Sequence, residues 1–118
     1  MWNTQHSIRG ERSGDQDLLR YSPTQSGVDF HRIMPKRARI IEVGSGNGRD
    51  ARFWALQDHS VVCVDFSEVA LEQLTTIAKE QGVKDRILPV MHDVSSGNLP
   101  FKTGENFDGF YARSSLHG

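Results

Sequence analysis

Only one cysteine, Cys63, stands in 118 residues, which excludes an internal disulfide framework. Its place in the apolar run Val61-Val62-Cys63-Val64 marks it as a buried strand thiol rather than a nucleophile. An excess of positive charge is also missing. With 14 lysines and arginines against 15 acids, for a net charge of −1, the chain has no general electrostatic reason to seek nucleic acid. Its one dense basic patch, Lys36-Arg37-Ala38-Arg39, reads as the solvated lead-in to a strand, with a phosphate or substrate contact as the alternative. No apolar run approaches the length needed to span a bilayer, and residues 1–20 are polar and mixed in charge, unlike a signal peptide. No membrane partner is expected, and a cytoplasmic location is the default. No His/Cys/Asp/Glu group has metal-ligand spacing, so no metal is expected either. Internal repeats and low-complexity tracts are absent.

What is present points to one globular domain. Hydrophobic residues make up 36% and charged residues 25% of the chain, and the apolar residues gather in runs. Residues 1–35 read as an irregular polar arm followed by a short helix over about 23–34, with Ser22-Pro23 as its start and Val28, Phe30, Ile33 and Met34 as its apolar face. From 36 to 118 strand and helix alternate. Strands are expected over 39–43, 60–65, 86–91 and 107–111, and helices over 48–58 and, capped by Ser67, to about Gln81 before Gly82. Trp54 on the first of these two helices reads as core. Residues 95–100 form a loop. Strands with little polar alternation need covering on both faces, which makes the fold class α/β, a doubly wound and mostly parallel sheet.

The segment Ile40-Ile41-Glu42-Val43-Gly44-Ser45-Gly46-Asn47-Gly48-Arg49-Asp50 carries the functional signal. An apolar strand ends near an acid, then glycine occupies every second position. Such a loop turns sharply and lets main-chain N–H groups come close to a ligand. The dinucleotide fingerprint G-x-G-x-x-G needs its third glycine at position 49, which is Arg49, and no Gly-Lys-Ser/Thr follows for a P-loop. Glu42, just before the turn, can accept hydrogen bonds from a ligand or organise the loop. Asp65 ends the second strand near the spacing at which an acid meets a ribose diol, with helix capping as its structural alternative, and Phe66 can lie flat on a base. His92 and Asp93 end the third strand, His92 reading as a loop residue and Asp93 as a ligand contact or a plain turn residue.

The complete pattern E-x-G-x-G-x-G from Glu42 to Gly48 resembles the first motif of the class I, Rossmann-like S-adenosylmethionine (SAM) methyltransferases, and the resemblance runs from about Arg39 to the C-terminus. Leu99-Pro100-Phe101 and Phe107-Asp108-Gly109-Phe110-Tyr111-Ala112-Arg113 resemble later segments of that family. The resemblance implies that Gly44, Ser45, Gly46 and Gly48 pass under the methionine part of SAM and that Asp65 holds the ribose. It places Asp93, with Val94 beside it, at the adenine amino group. SAM is then the cofactor; since nothing basic or aromatic-interleaved in the sequence suggests nucleic acid, a small-molecule acceptor is expected. Methyl transfer from a sulfonium needs mainly alignment and exclusion of water, and a base only where the acceptor carries a proton. No catalytic residue is assigned; Tyr111, Arg113 and His117 are candidates by position. The family's sheet has seven strands, and this sequence supplies about four. A fragment is therefore expected, with its fourth strand an exposed edge open to self-association. A SAM-binding module without turnover is the alternative function, and a nucleotide-dependent Rossmann enzyme a weaker one.

Overall fold

The computed structural model describes residues 22–93 and 106–112. The sequence readings for the N-terminal arm to Tyr21, the 95–100 loop, Val94, Leu99-Pro100-Phe101, Arg113 and His117 lie outside the described residues. The elements run α1 (Gln25–Ile33), β1 (Arg39–Val43), α2 (Arg49–Leu56), β2 (Ser60–Asp65), α3 (Glu68–Glu80), a 3-10 turn at Lys84–Arg86, β3 (Ile87–Met91) and β4 (Gly109–Ala112).

All four strands pair in parallel in the order β3-β2-β1-β4, with Ile40 opposite both Val61 and Gly109. The chain therefore winds outward from β1 through β2 to β3 and then returns to the far side of β1. That reversal makes the carboxyl ends of β1 and β4 the topological switch point, the place where ligands settle in doubly wound sheets.

Alternation along the strands divides the core. Ile40, Val61, Cys63 and Ile87 join Ala51, Trp54, Ala55, Leu71, Leu74 and Ala78 on the helix-bearing face. Ile41, Val62 and Val64 form a second cluster with Val90 and Phe107, and no described helix contributes to it. The expected helical cover on both faces is thus met on one face among the described residues. Leu88 on β3 is 58% exposed and Phe110 on β4 57% exposed.

Helix α1 begins at Thr24 rather than at Ser22-Pro23. The Thr24 hydroxyl accepts from Gly27 N at 3.0 Å, while Thr24 N and Oγ1 donate to the two oxygens of Asp50, each at 2.8 Å. These bonds to another helix hold Thr24 extended and set the boundary. Phe30 and Met34 pack against the core, whereas Ile33, expected on the same face, is 75% exposed. The buried Trp54 indole donates to Gly27 O at 2.8 Å and meets the Phe30 ring at 5.2 Å between centroids. Burying a side chain of this size contributes on the order of 3 kcal/mol. Ser67 caps α3 as expected, its Oγ accepting from Ala70 N at 3.1 Å, and Gly82 takes φ 76° just past its end.

At the amino end of the sheet the buried His59 accepts from Ala38 N through Nδ1 at 2.9 Å and meets His31 Nδ1 through Nε2 at 2.9 Å. A backbone amide can only donate, so His59 carries its proton on Nε2 and donates to His31. Burial and the nearby His31 hold the His59 pKa below the ordinary value of 6.5, with Asp58 and Asp108 opposing. The unfolded chain therefore binds this proton more readily than the folded one. The stability tied to a neutral His59 is fully present above pH 6.5 and is lost as pH falls through the lower folded value. Urea midpoints are expected to drop between about pH 7.5 and about pH 5.5, and to drop less in His59→Asn, whose amide oxygen can accept from Ala38 N. An identical drop in the variant would assign the effect to other groups.

Candidate functional site

The glycine loop is a stack of internal hydrogen bonds. Gly44 N and Ser45 N both donate to Val64 O, at 2.7 and 3.2 Å, extending the β1–β2 pairing past the strand end. Gly46 N donates to Asp65 Oδ2 at 2.7 Å, and Gly48 N closes a turn onto Ser45 O at 2.9 Å. The sequence reading expected such amides to face a ligand; these four are instead occupied within the protein. What the loop offers is close approach. Gly46, at φ 58°, has no atom of the described residues within 4 Å of where a Cβ would lie, so the backbone there borders open space among them. Gly48, at φ 77°, begins α2, and a Cβ there would collide with Leu74 Cδ1.

Asp65 works on two backbone segments at once. Besides Gly46 N, its Oδ1 accepts from Ser67 N at 2.9 Å, so one carboxylate ties the loop after β1 to the turn after β2. Each carboxylate oxygen has a second lone pair, which leaves capacity for a diol. Phe66, next to it, is 71% exposed and presents an apolar ring at the tip of β2. His92 N donates to Asp65 O at 2.9 Å, which sets Asp93 at the end of β3, exposed and beside the same edge of the sheet.

Glu42 and Ser45 lie deeper. Both are fully buried at 0% exposure, Glu42 facing Cys63 on one side and Tyr111 on the other in the strand register. Burial drives the Cys63 thiol well up, with the Glu42 carboxylate adding to the shift and the Ser45 hydroxyl opposing it. A thiol so held stays protonated and is no nucleophile. Tyr111 is committed as well: its hydroxyl lies 2.6 Å from Ser26 Oγ, and its ring packs at 5.0 Å from both Phe30 and Trp54.

Two residues that sequence reasoning did not single out hold this region in place. Asp50, buried in the first turn of α2, receives both Thr24 bonds and so fastens α1 beside the loop, helped by Arg49 Nε donating to Ser22 O at 2.9 Å. An acid at a helix N-terminus was the available signal. Arg52, also buried, donates through Nε to Asn47 O at 3.1 Å and through Nη1 to Gln81 Oε1 at 3.2 Å, bracing the loop from behind. Among the described residues no group of three potential metal ligands comes together, and no helix is long and apolar enough to cross a membrane.

A bare loop, a carboxylate at the neighbouring strand tip, an exposed ring and a second acid past the end of the third strand form one row along the carboxyl ends of the sheet. The open space over Gly46 leaves room for a ligand pressed against the backbone. A family model described as a methyltransferase domain matches residues 40–118. None of the curated proteins matches. A solved structure of a putative SAM-dependent methyltransferase from Methanococcus maripaludis is 26% identical, covering 77% of this chain and 41% of its own, with a TM-score of 0.66. A SAM-dependent methyltransferase from Thiobacillus denitrificans, solved with S-adenosyl-L-homocysteine, is 22% identical over 78% of this chain and 37% of its own, with a TM-score of 0.61. A glycopeptide N-methyltransferase complexed with sinefungin is 19% identical over 82% and 38%, with a TM-score of 0.66. The chain thus spans about two-fifths of the length of these solved chains. With most of its residues matched by the family model, and with the glycine loop and strand order in agreement, this chain belongs to the methyltransferase domain family, in its class I, Rossmann-like SAM-dependent form.

Proposed function

We propose that this chain is the cofactor-binding part of a SAM-dependent methyltransferase that acts on a small-molecule acceptor. The observation that carries the reading is the open backbone at Gly46, joined to Asp65 by a 2.7 Å hydrogen bond. Gly44 to Gly48 would run along the methionine part of SAM, Asp65 would accept from the ribose hydroxyls, Phe66 would cover a face of the adenine, and Asp93, with Val94, would meet its amino group. Glu42 and Ser45 would support the loop from below. SAM supplies an activated methyl group on a sulfonium, and the protein's part is to align the acceptor and exclude water. A net charge of −1 favours a small acceptor over a nucleic acid. Location in the cytoplasm is part of the same proposal.

A second reading, a module that binds SAM or its demethylated product without turnover, is favoured by the sheet face to which no described helix contributes. On that reading the edge strand β4, with Phe110 exposed, is where a second chain would pair. Calorimetric titration of the chain with SAM and, separately, with NAD is the test, followed by labelled-methyl transfer to candidate small acceptors. SAM is expected to bind and NAD not to bind. Heat from NAD alone would overturn the proposal, and binding without any transfer would select the second reading.

A further inference from the structure

At the pole opposite the glycine loop, the amino ends of β1 and β2 meet the ends of α1 and α2. A cleft of about 370 Å³ opens there, lined in part by His31, Lys36, Arg37, Gln57, Asp58 and His59. That volume suits a small organic ligand. The basic patch Lys36-Arg37, unused by the cofactor site, lines the cleft, and the one acid of the lining, Asp58, pairs with Arg86 Nη2 at 3.4 Å. The balance of charge at the cleft is positive.

One further observation points to a ligand of negative charge. The bond chain from Ala38 N through His59 to His31 runs in one direction, because the amide must donate. It ends on His31 Nδ1 as acceptor, so the remaining N–H of His31, itself a wall of the cleft, is a donor at Nε2. Arg37, at φ 53°, has left-handed backbone in the turn before β1, and Asp58, at φ 73°, closes α2 in the usual left-handed way, with Asp58 N bonded to Ala55 O at 3.1 Å and His59 N to Trp54 O at 3.0 Å.

We propose that this cleft binds a phosphate group, free or carried on a small molecule, through Lys36, Arg37 and the His31 Nε2–H. Guanidinium and ammonium donors beside an imidazole N–H suit a tetrahedral oxyanion. The site is separate from the cofactor cleft and stands whether or not the methyltransferase reading does.

The test is titration of the full chain with inorganic phosphate and, in a second arm, glycerol phosphate, followed through the imidazole NMR signals of His31 and His59. Saturable shifts with either probe are expected, and the tighter arm identifies the source. The double variant Lys36→Gln, Arg37→Gly is expected to weaken binding at least about tenfold, as the loss of two charge-assisted contacts implies, with SAM affinity unchanged. Glycine suits the left-handed backbone at position 37, so Arg37→Gly alone is expected to keep or raise the melting temperature while still weakening phosphate. No saturable shift, the same shift from chloride at matched ionic strength, or unchanged phosphate affinity in the variants would overturn the proposal. Should the double variant fail to fold, Arg37→Gly alone decides.

Discussion

Gly48→Val is expected to unfold much of the chain, whereas Gly46→Val is expected to leave it folded and unable to hold SAM. Both glycines have positive φ, 77° and 58°, so a β-branched residue is strained at either, by roughly 1–3 kcal/mol. The surroundings separate them. At Gly48 the new side chain must displace Leu74, a fully buried residue of the helix-bearing core, which adds an overpacking cost of about 1–3 kcal/mol. The sum, about 4 kcal/mol, is a large part of the roughly 5–15 kcal/mol that stabilises a typical domain. At Gly46 the side chain enters open space, and only the backbone strain remains. That space is where the cofactor would lie, so its affinity should fall by about a hundredfold or more, equivalent to roughly 2.7 kcal/mol. Melting curves and SAM calorimetry on the two variants separate the effects. Unchanged SAM affinity in Gly46→Val would remove the glycine loop from the binding site.

Asp65→Ala is the second large effect, and it has two readouts. The variant strips the acceptor from Gly46 N and from Ser67 N, so the ligand-free protein should lose about 1–3 kcal/mol of stability. If the carboxylate also accepts from the ribose diol, SAM affinity should fall by a further 1–3 kcal/mol, roughly 5- to 150-fold. Asp65→Asn keeps an acceptor oxygen for one of the two amides but loses the charge, and should fall between the parent and Asp65→Ala on both measures. A lower melting temperature with an unchanged dissociation constant would make Asp65 an organiser of the loop and nothing more.

Much of this site was legible because its residues are close in sequence. Gly44, Gly46 and Gly48 all take positive φ, as their two-residue spacing suggested, and Ser67 caps the helix it precedes. Runs such as Ile40–Val43 and Val61–Val64 became parallel strands because apolar runs bounded by turn residues leave few other choices. The misses share a cause in long-range contact. Nothing near Asp50 in the chain reveals that Thr24, 26 residues earlier, will donate to it twice and move the start of α1. Ile33 fits a helical apolar face by spacing, yet the direction from which the core approaches leaves it in solvent. The loop amides looked available to a ligand, but Val64 O and the Asp65 carboxylate arrive from another strand and take them.

Residue order alone settled the α/β alternation, the bare turn after the first strand and the acids that close the strands, since each depends on backbone preferences and apolar spacing over a few positions. Folding decided which donors stay available, which acid holds which loop, and that His31, Lys36 and Arg37 share a cleft with Asp58 and His59. Those outcomes depend on how strands far apart in sequence align, and hydrogen-bond partners across such distances are chosen by packing.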